Sequence, residues 1–480
     1  MRKKLLYPLL SAVFVCPFLP MLSGCQAETP KNEYSITAEY FPEEGKLKAD
    51  MTATLVNTSQ NVLSDLKFEL YMNAYREGAK HKPVSENFEN ICYYDGASYS
   101  AFEITSLTGG EYEICGEDEN ILSVTPAKPI YPDEKATVTL SYELTLPKAA
   151  HRLGIGKNAV NLAYFYPVLC NLTESGFEEY IYTCAGDPFV SSLADYTVRM
   201  TVPKEYTLVH GGTGSHTEQG DKTVYSVNAT DVRDMAFVLG KDFKCVTQKA
   251  GDTAVEYYYQ TDSEPETSLQ TACDALTYYE KIFTPYGYER YVLVETDFIF
   301  GGMEYSTLAM ISNSLHESEK TAVIAHETAH QWWYFKVGSD QVKESWQDEG
   351  LAEYSTALFF GEYPAYESSY DERVSLSERS YRAYFSVYSQ LGEASTKMSR
   401  PLTDYKGEYE YRCVAYDKGV IMFDRVRETM GEKKFFSALK KYAETYDKKQ
   451  ATRADLIACF DEESNIEGLF VSFLDGLCVI

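Results

Sequence analysis

The sequence predicts a multi-domain chain: an antiparallel β-sandwich followed by a mixed α+β domain that is mostly helical. Three observations carry that reading. At 480 residues the chain is long enough for more than one hydrophobic core. Residues 31–245 hold short segments of alternating apolar and polar character, among them "YSITAEYF", "KATVTLSYELTL" and "YTVRMTVP", broken by Gly, Pro, Asn and Asp. Such alternation suits antiparallel strands with one wet face. From residue 246 the period lengthens: "SLQTACDALTYYEKIF" has helical spacing, "RYVLVETDF" reads as one strand, and the remainder to 480 is largely helical.

The first residues stand apart from both domains. Arg2, Lys3 and Lys4 precede an apolar run from Leu5 to Leu22 that contains three prolines, and the run closes on Leu22-Ser23-Gly24-Cys25. Charge, apolar stretch and small residues make residues 1–24 an export signal. The last four resemble the bacterial lipoprotein box, which implies cleavage before Cys25, a diacylglycerol on its sulfur and a linker over residues 25–30. The expected location is the bacterial cell envelope, outside the cytoplasm, with the membrane reached through lipid alone.

Removing residues 1–24 takes away three basic residues and no acids, leaving 41 Lys and Arg against 72 Asp and Glu, a net charge of −31. A surface of that sign repels nucleic acid and anionic lipid, so neither is an expected partner. Nine cysteines follow Cys25, odd in number, scattered and without a CxxC pair. That is neither a disulfide framework nor a thiolate metal site, and free, mostly buried thiols are expected. The 41 tyrosines are read as strand packing and wet surface.

Chemistry concentrates in "VIAHETAHQWW". On a helix, His326 and His330 lie one turn apart and about 40° around the axis, so both imidazoles can face one ion. Glu327 points elsewhere, as suits a general base that must reach a water without becoming a ligand. A hydrolytic zinc site needs a third protein ligand. Asp340, Glu344, Asp348, Glu349 and Glu353 are the downstream candidates, and the apolar flank of Glu349 between Trp346 and Ala352 favours it mildly.

His326-Glu327-x-x-His330, then eighteen residues, then Glu349 inside "WQDEGLAEY" resembles the gluzincin pattern of the M1 aminopeptidases, with Asp348 and Leu351 where the family has Asn and Phe. The resemblance implies one Zn²⁺ per chain on His326, His330 and Glu349, with Glu327 as general base. It also implies a saddle-like N-terminal β domain, a thermolysin-like catalytic domain, and no large C-terminal helical domain. "FIFGGMEYSTLAM" resembles the family's exopeptidase motif. By that resemblance Gly301, Gly302, Met303 and Glu304 bind substrate, and Glu304 meets the free amino group. Tyr305 replaces the family's Asn, which bears on contacts to the first peptide unit. "VAYDKG" maps the family's transition-state tyrosine onto Tyr416, with Tyr405, Tyr409 and Tyr411 as neighbours. The implied activity is removal of N-terminal residues from peptides with a free N-terminus. A zinc endopeptidase, another gluzincin hydrolase and a non-catalytic surface binding lipoprotein are the alternatives.

Overall fold

The computed structural model describes residues 31–478. The export signal, the 25–30 linker and Cys25 lie outside them. Among the described residues no helix is long and apolar enough to cross a membrane. All nine cysteines in this range are free, five of them buried.

The N-terminal part is β-rich and built from several sheets. Its largest contains seven strands: β1 (Asn32–Phe41), β2 (Lys46–Val56), β3 (Ala101–Thr108), β4 (Lys135–Thr145), β5 (Ala194–Pro203), β6 (Thr213–Gln219) and β7 (Lys222–Val232). Their spatial order is β6-β7-β5-β1-β2-β4-β3. In β1 the apolar Tyr34, Ile36, Ala38 and Tyr40 are buried and the residues between them are not, because successive side chains of a strand point to opposite faces. The expectation of an all-antiparallel arrangement fails at one seam. β1 runs parallel to β5, with Ile36 opposite Val198, because more than 150 residues of chain separate the two strands and leave room for a crossover.

The second part opens on a five-stranded sheet of β8 (Lys244–Ala250), β9 (Thr253–Tyr259), β10 (Arg290–Thr296), β11 (Gly302–Tyr305) and β12 (Leu308–Ser312), in the order β8-β9-β10-β12-β11. β10 is buried along nearly its whole length and pairs parallel to both neighbours, which explains its continuous apolar run. β11 pairs only with β12 and forms the sheet edge.

Four long helices build the site against this sheet: α1 (Pro265–Ile282), α2 (Glu317–Ala329), α3 (Trp346–Glu362) and α4 (Tyr370–Gln390). A π-helical turn over Arg412–Asp417 then runs into α5 (Lys418–Met430). α2 carries His326, His330 caps its C-terminal end, and hydrogen bonds from the surroundings fix this segment. The Tyr279 hydroxyl donates to the Ala325 carbonyl (3.1 Å), and the Gln331 amide side chain bridges the Thr307 N–H (3.0 Å) and the Tyr305 carbonyl (3.1 Å). Trp333 Nε1 donates to Ser355 Oγ on α3 (3.0 Å), so the helix of the histidines and the helix of Glu349 are tied directly.

Candidate active site

His326 and His330 sit at the buried C-terminal end of α2 with their Nε2 atoms 3.0 Å apart. Glu349, from the first turn of α3, brings Oε2 to 3.3 Å from His326 Nε2 and 3.2 Å from His330 Nε2. Each histidine is held by its other nitrogen. His330 Nδ1 donates to the Trp333 carbonyl (2.8 Å), and His326 Nδ1 donates to Glu353 Oε2 (2.9 Å). With Nδ1 so engaged, each ring turns its Nε2 toward the same point. Glu349 Oε2 is buried and has no hydrogen-bond donor.

Two imidazole Nε2 atoms and a carboxylate oxygen that converge in a buried site call for a cation among them. Ligands about 2.0–2.1 Å from a tetrahedral ion lie about 3.3–3.4 Å apart, so the triangle of 3.0 to 3.3 Å suits a single small divalent metal. Among the described residues, His326, His330 and Glu349 are one of two groups able to hold a metal ion. The other, Glu304, Glu327 and His330, shares a histidine with the first.

Glu327 is buried beside this triangle, and its Oε2 has no partner. Burial pushes its carboxyl up to about 7, against the pull of His326 and His330. Gly302 explains how the carboxylate fits: a Cβ there would lie 2.4 Å from Glu327 Oε1. Burial works the other way on His326, but the nearby Glu349 and Glu353 carboxylates overcome it and raise the imidazole to about 10.

Glu304 lies on β11 with Gln341 Nε2 donating to its Oε1 (3.2 Å), and burial raises its carboxyl well above the usual range. Gly301, Gly302 and Glu304 line the same cavity, about 370 Å³, as the histidines, Glu327, Glu349 and Tyr416. Met303 does not. Alternation along β11 turns its side chain away, and its sulfur accepts from Arg152 Nε (3.1 Å). Of Met303, expected among the substrate-binding residues, the backbone on the β11 edge is the part left to meet a peptide. Tyr305 turns the same way, is fully buried, and packs its ring 6.0 Å from that of Tyr164. The residue replacing the family's Asn thus faces away from the cavity.

The Tyr416 hydroxyl donates to Glu349 Oε1, and its ring stacks on His326 at 5.6 Å. Tyr411 reaches the same oxygen at 3.4 Å and lines the cavity, while Tyr405 and Tyr409 do not line it. Of the remaining candidates for third ligand, Asp348 is buried and accepts the Glu349 amide N–H (2.9 Å), and its carboxyl is pushed by burial up to about 8. Asp340 binds Tyr180 (3.0 Å) and Glu344 binds Trp346 (2.5 Å), both outside the cavity lining.

Glu353, a candidate third ligand in the sequence, instead stands between His326 Nδ1 and Arg373 Nη2 (2.8 Å), four residues after Glu349 on α3. Two participants escaped the sequence reading. Arg152 and its ion-pair partner Asp187 come from the N-terminal part and close one wall. Nothing local marks either of them.

Residues 267–473 match the peptidase family M1 domain. The chain carries an M1 peptidase domain. Every cavity residue from Gly301 to Asp417 lies within the M1 domain, whereas Arg152, Cys184, Gly186 and Asp187 precede it. Human endoplasmic reticulum aminopeptidase 2 is 27% identical over 245 residues, 47% of this chain and 24% of that protein. Aminopeptidase N of Haemonchus contortus is 24% identical over 307 residues, 57% of this chain and 30% of that protein. The chain thus spans less than a third of the length of these relatives. The Glu-to-Ala mutant of an M1 zinc metallopeptidase from Deinococcus radiodurans has the same fold, with a TM-score of 0.65 at 17% identity over 94% of this chain and 95% of that one. A mutant form of that enzyme bound to a Tyr-Ser-Ala substrate superposes with a TM-score of 0.64 at 18% identity, over the same shares of the two chains.

Proposed function

We propose that this chain is a zinc-dependent aminopeptidase that removes N-terminal residues from peptides. The observation that carries the reading is the placement of one buried carboxylate, Glu304, at a sheet edge in the same cavity as the His326–His330–Glu349 triangle and Glu327. His326, His330 and Glu349 would hold the zinc. When bound, the metal supplies Lewis acidity toward a water and the scissile carbonyl.

The residues of the chain do the rest. The free edge of β11 offers backbone groups to an extended peptide, and Gly301 and Gly302 allow close approach. Glu304 receives the α-ammonium, which sets the register to one residue and excludes blocked N-termini. Glu327, buried with an oxygen open to a proton, takes one from the attacking water and delivers it to the leaving nitrogen. Tyr416 donates its hydroxyl hydrogen bond to the oxyanion as the carbonyl becomes tetrahedral. The site resides in the 246–480 domain, and the 31–245 β domain supplies Asp187 and Arg152 to one wall.

We place this activity outside the cytoplasm, in the bacterial cell envelope. The support is the basic start, apolar run and lipoprotein-like box of residues 1–25, with lipid on Cys25 as the membrane attachment. Free and N-acetylated aminoacyl chromogenic substrates, with and without chelator, test the function. Chelator-sensitive cleavage of the free substrates alone is expected; equal cleavage of the blocked ones removes Glu304 as amine anchor.

A further inference from the structure

The cavity has two chemically different ends. Glu304 stands on the His330 side, where Glu304, Glu327 and His330 bring ligand atoms within 4.8 Å of one another. The opposite end lies beyond His326. There Glu353 meets His326 Nδ1 and Arg373, and the Tyr416 ring stacks on the imidazole. Arg412 precedes Tyr416 by four residues on one continuous helical run, so it rises from the same face about one turn earlier. A peptide whose amino group sits at Glu304 runs its chain toward this second end.

Three arginines line the cavity, and two are committed. Arg152 is buried against Asp187, Tyr182 and the Phe189 ring. Arg373 has spent one nitrogen on Glu353 and lies over the Phe360 ring. The guanidinium of Arg412, exposed at the cavity, makes no ion pair and no hydrogen bond among the described residues, in a chain where 72 acids outnumber 44 basic residues. The acids nearby are engaged elsewhere: Asp417 accepts from Ser380 Oγ (2.6 Å), Glu408 from the Ser85 amide (3.3 Å), and Glu353 holds His326. A planar guanidinium with five donors and no acceptor of its own fits a carboxylate bidentately.

We propose that Arg412, backed by Arg373, forms a carboxylate-binding subsite on the leaving-group side of the cleft. It rests on the aminopeptidase reading above. Two extended residues span about 7 Å, within the combined reach of the chain and a long arginine side chain. The carboxylate therefore belongs to the first or second residue after the scissile bond. It is either the C-terminus of a di- or tripeptide or an acidic side chain at that place.

Four substrates separate these sources: Leu-Ala-Ala, its C-terminal amide, Leu-Asp-Ala amide, and leucine p-nitroanilide, which has no carboxylate. For the wild-type protein, Leu-Ala-Ala is expected to exceed its amide in kcat/KM by about tenfold, the worth of one charge-assisted hydrogen bond. Recovery of that loss by Leu-Asp-Ala amide assigns the acidic side chain as a second occupant. Arg412→Gln should raise KM about tenfold for Leu-Ala-Ala, with kcat within twofold, and leave the p-nitroanilide unchanged. Equal kcat/KM for acid and amide, or an equal loss on all four substrates, overturns the subsite. Calorimetric binding of Leu-Ala-Ala and its amide to Glu327→Gln, with and without Arg412→Gln, reads the subsite without turnover. A preference for the acid there upholds it even if the aminopeptidase reading fails, and equal binding rejects it.

Discussion

Glu353 does for His326 what the Trp333 carbonyl does for His330: each accepts from Nδ1 and so leaves Nε2 free to point at the shared centre. The two acceptors differ in charge. A carboxylate makes its imidazole a stronger donor to a metal than a carbonyl does, and it balances part of the ion's charge. Arg373 in turn keeps Glu353 ionised; although burial opposes it, the His326 hydrogen bond and the Arg373 charge pull the Glu353 carboxyl down to about 2. Glu353→Gln keeps the shape and removes the charge, so the fold should survive while zinc affinity falls about 10- to 100-fold. Competition with a chelator of known affinity measures it. Unchanged affinity would show that the Glu353 contact orients the ring without tuning it.

At the scale of elements, the decisive contact is between two helices that touch at glycine. A Cβ on Gly419 of α5 would lie 2.6 Å from the Gly350 Cα of α3. Gly350 follows Glu349, and Gly419 follows the π-turn that carries Tyr416, so this approach sets the distance between the carboxylate and the phenol. The π-turn itself matters. Tyr416, Val420 and Phe423 read in sequence as one apolar helical stripe, yet Val420 and Phe423 are fully buried while Tyr416 faces the cavity. Single-turn π segments change the facing of a residue relative to the helix that follows, and composition does not announce them. Gly419→Ala must push the helices apart, at a cost of about 1–3 kcal/mol. The expected result is a lower urea midpoint and a reduced kcat with zinc content intact. A kcat unaltered by this change would mean that another contact seats Tyr416.

That contrast marks how far the sequence could be read. The two histidines were legible because a helix converts a spacing of four directly into a common face, whereas Glu349, on a second helix, is favoured mildly by its apolar flank and otherwise through resemblance. Glu304 was legible only through resemblance, since a short edge strand carries little periodic signal. The outward turn of Met303 and Tyr305 follows from strand alternation once Glu304 is known to face inward. Asp187 and Arg152 reach the cavity, and Gln341 reaches Glu304, from distant stretches of chain, and no local pattern encodes a contact of that separation.

At the scale of the whole molecule, the N-terminal strands and the M1 domain meet through buried polar contacts, not only apolar ones. Arg233, the residue after β7, donates to the carbonyls of Tyr334 (2.7 Å) and Phe335 (2.9 Å), just past the histidine helix. It also donates to Ser191 (3.0 Å) and Lys449 (2.8 Å). Gly338 makes room, because a Cβ there would lie 2.3 Å from the guanidinium carbon. Next to it, Asp234 accepts from the Ser306 N–H (2.9 Å), two residues beyond Glu304, and from the Tyr334 and Tyr164 hydroxyls. One dipeptide of the β domain thus grips the strand of Glu304 and the loop after His330 together. Arg233→Ala leaves at least four carbonyls without this donor, several of them buried, and should cost about 3 kcal/mol. Because the lost bonds join the two parts, the effect should fall on cooperativity as well as on stability. Urea unfolding followed by far-ultraviolet circular dichroism and by tryptophan fluorescence separates the two, since Trp332, Trp333 and Trp346 all lie in the M1 domain. The wild-type curves should coincide, and those of Arg233→Ala should part, with the fluorescence transition moving to lower urea. Coincident curves in the variant would place the coupling of the two parts in their apolar contacts instead.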